Sequence, residues 1–192
     1  MTSESDRRLL LKLARDSILA HVTGCAVSPP PNATLLEGPG AAFVTVHVDR
    51  DLRGCIGHIE AIEPLGRVIV RCAVAACSAD PRFPPITVHE LARMDLELSI
   101  LGPLEAISGA TDVEIGRHGL VVEKGWLRGL LLPQVASERS WDAAMFLAQT
   151  CRKAGLPSDA WQHGAKLWRF EAEVFGETTT EDTEEAEELR EE

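Results

Sequence analysis

The chain has 192 residues, of which 30 are acidic and 19 basic, for a formal net charge of −11. Its 45% hydrophobic and 26% charged residues are those of a globular protein and exclude a fibrous or wholly disordered chain. A length of this order builds one domain or two small lobes and buries enough surface to need no disulfide or metal staple.

Residues 4–22 carry Leu10, Leu11, Leu13, Ala14, Ile18 and Val22 at steps of three and four, the pattern of an amphipathic helix. Ser3 followed by Asp6 predicts a capping box at its start. The segment 28–40, with four prolines and two glycines, predicts a loop. In 41–48 Val44, Val46 and Val48 alternate with Thr45 and His47, which predicts a half-buried strand. A turn at Asp49-Arg50-Asp51 leads into a second strand, 52–59, completing a hairpin. Pro64 opens a helix that runs to about Ala79 and carries small residues at Ala73, Ala76 and Cys77. Asp80-Pro81-Arg82-Phe83-Pro84-Pro85 ends it. A helical turn follows at Val88–Met94.

Residues 94–101 form a strand with Leu96, Leu98 and Ile100 on one face. GLVVE at 119–123 and WLRGLLLP at 126–133 form a hairpin across Lys124-Gly125. A helix is predicted over 138–154, with Trp141, Ala144, Met145, Ala148 and Cys151 on one face and Gly155 as its cap. Residues 166–175 alternate again, with Trp168, Phe170, Ala172 and Val174 on one side. Strands joined by hairpins, with helices not alternating between them, predict an α+β fold on mainly antiparallel sheet.

The charge is uneven. Residues 177–192 hold nine acidic residues and one basic one, so the body up to 176 is close to neutral, with 21 acidic against 18 basic residues. The tail reads as a solvated acidic segment, and the body lacks the basic surface that nucleic-acid binding requires. Lys12, Arg15 and Asp16 interrupt the apolar positions near the start, unlike a secretory signal. No run reaches the length of a membrane span. Five cysteines without a CxxC pair suit a reducing compartment, so a cytoplasmic protein is expected. With no GxGxxG, Walker, HExxH or GxSxG motif, neither a cofactor nor a metal is expected.

The segment Arg53-Gly54-Cys55-Ile56-Gly57-His58 is the most unusual. Two glycines weaken a strand unless something approaches its backbone closely. Arg53, Cys55 and Gly57 share one face of a regular strand, so Arg53 would lie beside Cys55 and favour its thiolate; the alternative is a small buried cysteine. Asp80 and Arg82 offer either an anion-binding corner or a local pair, with Asp80 capping backbone N–H groups and Phe83 plugging the core. His118 is a candidate general base. Gln134, after Pro133, is a candidate ligand reader. Lys153 suits the negative end of its helix.

Together these residues resemble a known family. LRGCIG at 52–57 resembles the signature of the AMMECR family. Phe43-Val44-Thr45, Pro64-Leu65, Ala73, Ala75-Ala76 and Asp80-Pro81-Arg82-Phe83-Pro84 follow the family pattern in order. So do Leu98-Ser99-Ile100-Leu101, His118-Gly119-Leu120, Leu131-Leu132-Pro133-Gln134-Val135, Trp141, Lys153-Ala154-Gly155-Leu156 and Trp161. His58 stands where members often carry a small residue. The resemblance implies a domain over 1–176 made of two lobes with a cleft between them, and an acidic tail, 177–192, outside it. It implies Memo-like and radical SAM proteins as partners.

Two readings of function follow. In one the chain is an enzyme or enzyme component with Cys55 as nucleophile or redox thiol, supported by Arg53 and His118, with Gly54, Gly57, Asp80, Arg82 and Gln134 around the ligand. In the other it is a non-catalytic module that binds a small molecule or a protein partner, and LRGCIG is a structural corner.

Overall fold

In the computed structural model, residues 2–25 and 34–177 are described; the acidic tail from 178 onward lies outside the described residues. The chain divides into two compact units, residues 1–100 with 173–192, and residues 101–172.

The first unit opens on helix α1 (Glu4–Thr23). Asp6 N–H donates to Ser3 Oγ, and Ser3 N–H donates back to the Asp6 carboxylate, so the predicted capping box forms. Gly24, at φ 71°, ends the helix in the left-handed conformation that glycine adopts without a Cβ clash. A short helix α2 (Thr34–Glu37) precedes strands β1 (Ala41–Val48) and β2 (Asp51–His58). Asp49 and Arg50, at φ 53° and 71°, form the two-residue turn between them, because a turn with both central residues at positive φ matches the twist of a hairpin. Helix α3 (Leu65–Ser78) packs on α1, β1 and β2. After a 3₁₀ turn at Val88–Arg93, strand β3 (Met94–Leu101) lies on the far side of β1 from β2. Val44, Val46, Leu96 and Leu98 are fully buried with Leu10, Ile18, Val68 and Ile69, which makes one core between sheet and helices.

The second unit contains β4 (Glu105–Ala106), β5 (His118–Lys124) and β6 (Leu127–Leu131), helices α4 (Pro133–Glu138) and α5 (Ala143–Lys153), and the first part of β7 (Lys166–Gly176). The β5–β6 hairpin turns at Gly125, φ 63°. Leu120, Val122 and Leu167 pack against Phe146, Leu147 and Cys151 of α5. Among the described residues no helix is long and apolar enough to cross a membrane.

Three expectations change. The helix predicted over 138–154 forms as α5 but starts later, at Ala143: Ser140 sits at φ 52°, and Asp142 caps α5 by accepting the Met145 N–H at 2.7 Å. Pro133 begins α4 as well as ending the strand before it. In β7 the face formed by Trp168, Phe170, Ala172 and Val174 is not the buried one throughout. Leu167 enters the second core and Phe175 the first, while Val174 is exposed, because this strand serves a different core at each end.

Candidate functional site

The glycines of LRGCIG are answered by packing. A Cβ on Gly54 would lie 1.9 Å from the carbonyl oxygen of Ala76, so the strand touches the helix backbone directly. That approach also needs the small residues of α3 predicted to permit it. A Cβ on Gly57 would lie 2.2 Å from the ring of Phe43, its cross-strand partner. What approaches the strand is the protein itself.

Arg53 does not serve Cys55. Its Nε donates to Glu90 Oε1 at 2.8 Å and its Nη1 to the Pro84 carbonyl at 3.1 Å. Glu90 is already fixed in the capping box of the following turn, where its Oε2 accepts the Thr87 N–H and hydroxyl, each at 2.8 Å. A positioned carboxylate outcompetes a neighbouring thiol for a guanidinium, because the charge-assisted pair is the stronger hydrogen bond. The Glu90 carboxyl is accordingly held down at about 2, chiefly by Arg53 and then by Thr87.

The guanidinium at Cys55 belongs to Arg82. The Cys55 N–H donates to Asp80 Oδ2 at 2.9 Å, and Arg82 Nη2 donates to the Cys55 carbonyl at 3.3 Å. Asp80, only 4% exposed, accepts from Arg82 Nε at 2.9 Å, Nη2 at 2.6 Å and the Arg82 N–H at 3.1 Å. Arg82 first, then the Cys55 and Arg82 N–H groups, hold the Asp80 carboxyl far below the usual carboxylate range. Arg82 is in turn raised by Asp80 and, to a smaller extent, by Cys55. The half-buried Cys55 Sγ accepts the Thr45 hydroxyl at 3.3 Å. Arg82 lies 5.3 Å over the Phe83 ring, yet its side chain remains 54% exposed. Phe83 is half-buried under Arg82 and does not plug the core; Ile86, just past this segment, enters it.

The structure thus brings Cys55, Asp80 and Arg82 together around Gly54 and Gly57 and draws Arg53 away. Thr45 and Glu90 are functional neighbours that the sequence did not single out. Thr45 was legible as the polar position of β1, but its partner depends on register. The ring nitrogen His58 Nε2 is buried without a partner among the described residues.

His118 and Gln134 lie in the second unit. His118 begins β5 and is 6% exposed, contrary to the exposed histidine that a turn position suggests. Its Nδ1 accepts the Glu114 N–H at 2.9 Å, and burial first, then Arg169 and Arg117, push its pKa down. Gln134 sits half-buried in the first turn of α4. Lys153 lies in the last turn of α5, where a cation is favoured.

A family model described as AMMECR1 matches residues 11–175. A protein of Methanocaldococcus jannaschii is 46% identical, with 87% of this chain and 88% of that one aligned. One of Thermofilum pendens is 41% identical over 92% of each chain. The crystal structure of an uncharacterized protein from Pyrococcus horikoshii superposes with a TM-score of 0.80 at 40% identity, covering 88% of this chain and 89% of that one.

Proposed function

The chain belongs to the AMMECR1 family, and from that premise we propose that it works as a binding component, presenting Arg82 above Cys55 to a small molecule or peptide that carries a carboxylate or phosphate. One observation carries this reading: once packing has accounted for Gly54 and Gly57, and Glu90 for Arg53, the charged group left facing solvent at the motif is the Arg82 guanidinium. Asp80 fixes its orientation by a bidentate pair and the Cys55 carbonyl takes the other Nη2 hydrogen, which leaves Nη1 as the charged donor that an oxyanion would meet. The five free cysteines agree with a reducing, cytoplasmic setting. Partners of the Memo-like and radical SAM type are proposed on the family resemblance alone.

A second reading has its own observation: Cys55 Sγ receives the Thr45 hydroxyl and shares its corner with a guanidinium, which suits a reactive thiol. Complementation of a strain lacking the gene separates the two. The binding reading expects Cys55→Ser to retain full function and Arg82→Met to lose it. Loss of function in Cys55→Ser, together with alkylation of Cys55 well below the ordinary thiol pKa of about 8.5, would overturn it in favour of thiol chemistry.

A further inference from the structure

The second unit has a cavity of about 430 Å³, a size typical of small-molecule sites, and the motif corner contributes nothing to its lining. His118 lines it. Because Nδ1 accepts the Glu114 N–H, the neutral ring carries its proton on Nε2. Burial and the nearby Arg169 and Arg117 favour that neutral form over Glu114 and Glu171, which oppose it. Nε2 meets no acceptor among the described residues, and since it is not one of the buried atoms without a partner it opens onto the cavity, while the residue as a whole is 6% exposed. A donor facing a cavity from an otherwise buried residue is placed to meet a ligand there.

The two arginines of the lining are already occupied. Arg169 Nε donates to Glu105 at 3.0 Å and its Nη1 to the Asp112 carbonyl at 2.7 Å. Arg117 Nε donates to Glu171 at 2.8 Å and its Nη1 to Glu114 at 3.2 Å. Each carboxylate can accept about four hydrogen bonds, so these pairs leave acceptor capacity unused. Three carboxylates against two guanidinium groups give the lining no attraction for an anion. Phe170, 1% exposed, backs the cavity, its ring packed so closely under Gly119 that a Cβ there would lie 2.3 Å from it.

A ligand for this cavity must accept from one N–H and donate to carboxylates. A hydroxyl group does both at once, and a molecule of sugar size carries several. We infer that the second unit holds a binding site for a neutral, hydroxyl-rich molecule of sugar size, with His118 donating from Nε2 and Glu105 and Glu171 accepting. The site goes beyond the proposed role of Arg82 and does not depend on it.

The test titrates the isotopically labelled full chain with D-glucose, D-ribose, adenosine and, separately, inorganic phosphate, following the His118 ring and the Glu114 and Glu171 amides by NMR. At least one of the three neutral probes is expected to give saturable shifts; adenosine binding without ribose binding would identify the ligand as a nucleoside rather than a free sugar. His118→Phe should weaken that probe about tenfold, the loss of one buried hydrogen bond. Glu171→Gln alters an exposed side chain, so it tests the site even where His118→Phe fails to fold, and it too should weaken binding. Saturable shifts from phosphate alone, no shift from any neutral probe, or undiminished binding in Glu171→Gln would overturn the inference.

Discussion

Asp80 and Glu90 are the carboxylates that tie the motif strand to the segment after α3, and each is ionised more readily in the folded chain than outside it. A depressed carboxyl stabilises fully above its unfolded value and loses that contribution as pH falls through the folded one. For Glu90 the window runs from its ordinary 4.5 down to about 2. For Asp80 it begins at 3.8 and extends lower. The urea midpoint should therefore fall steadily as pH is lowered from about 5 to about 2, and Glu90→Gln should flatten that dependence while costing about 1–2 kcal/mol at neutral pH. An acid slope unaltered in Glu90→Gln would show that the Arg53 pair contributes nothing. At this scale the sequence was informative where partners are close in the chain. The Asp80–Arg82 pair spans two residues and was legible as one of two readings. The Arg53–Glu90 pair spans 37 residues, and nothing in the local pattern distinguishes Glu90 from Cys55 as the group that receives Arg53.

At the level of elements, β2 meets α3 directly at Gly54. Gly54 faces a helix carbonyl, and backbone cannot rotate aside. Gly57 faces the ring of Phe43, which is half-buried and can move. Gly54→Ala should therefore cost more than about 3 kcal/mol and Gly57→Ala about 1–2 kcal/mol, read from urea denaturation. Equal costs would mean that the strand shifts as a unit and that the helix contact is not what demands glycine. Alternation revealed β1 and β3, and three- and four-residue spacing revealed α1, since one buried face per element imposes those periods; β2 followed from the turn at 49–51 and α3 from Pro64. The same spacing misled over 138–154. Trp141 and Ala144 fall at helical intervals, but the positive φ of Ser140 and the capping geometry of Asp142 break the run. A cap is a single residue, and periodicity does not register it.

Among the described residues there are two hydrophobic cores, one between α1, α3 and the β2-β1-β3 strands, the other between α5 and β5–β7. Phe146 is fully buried in the second core. Phe146→Ala should cost about 3–5 kcal/mol there. Hydrogen exchange should show amides of β5 and β6 losing protection while those of α1 and α3 keep theirs; equal loss in both would mean that the units open together. The sequence by itself determined the family, the antiparallel α+β class and most element positions, because these rest on motifs and periods within a few residues. The tertiary structure decided which guanidinium stands at Cys55, what requires Gly54 and Gly57, that His118 is buried, and which side of β7 each core takes. Those outcomes depend on strand register and on helix-to-sheet approach, which bring together residues that no local pattern relates.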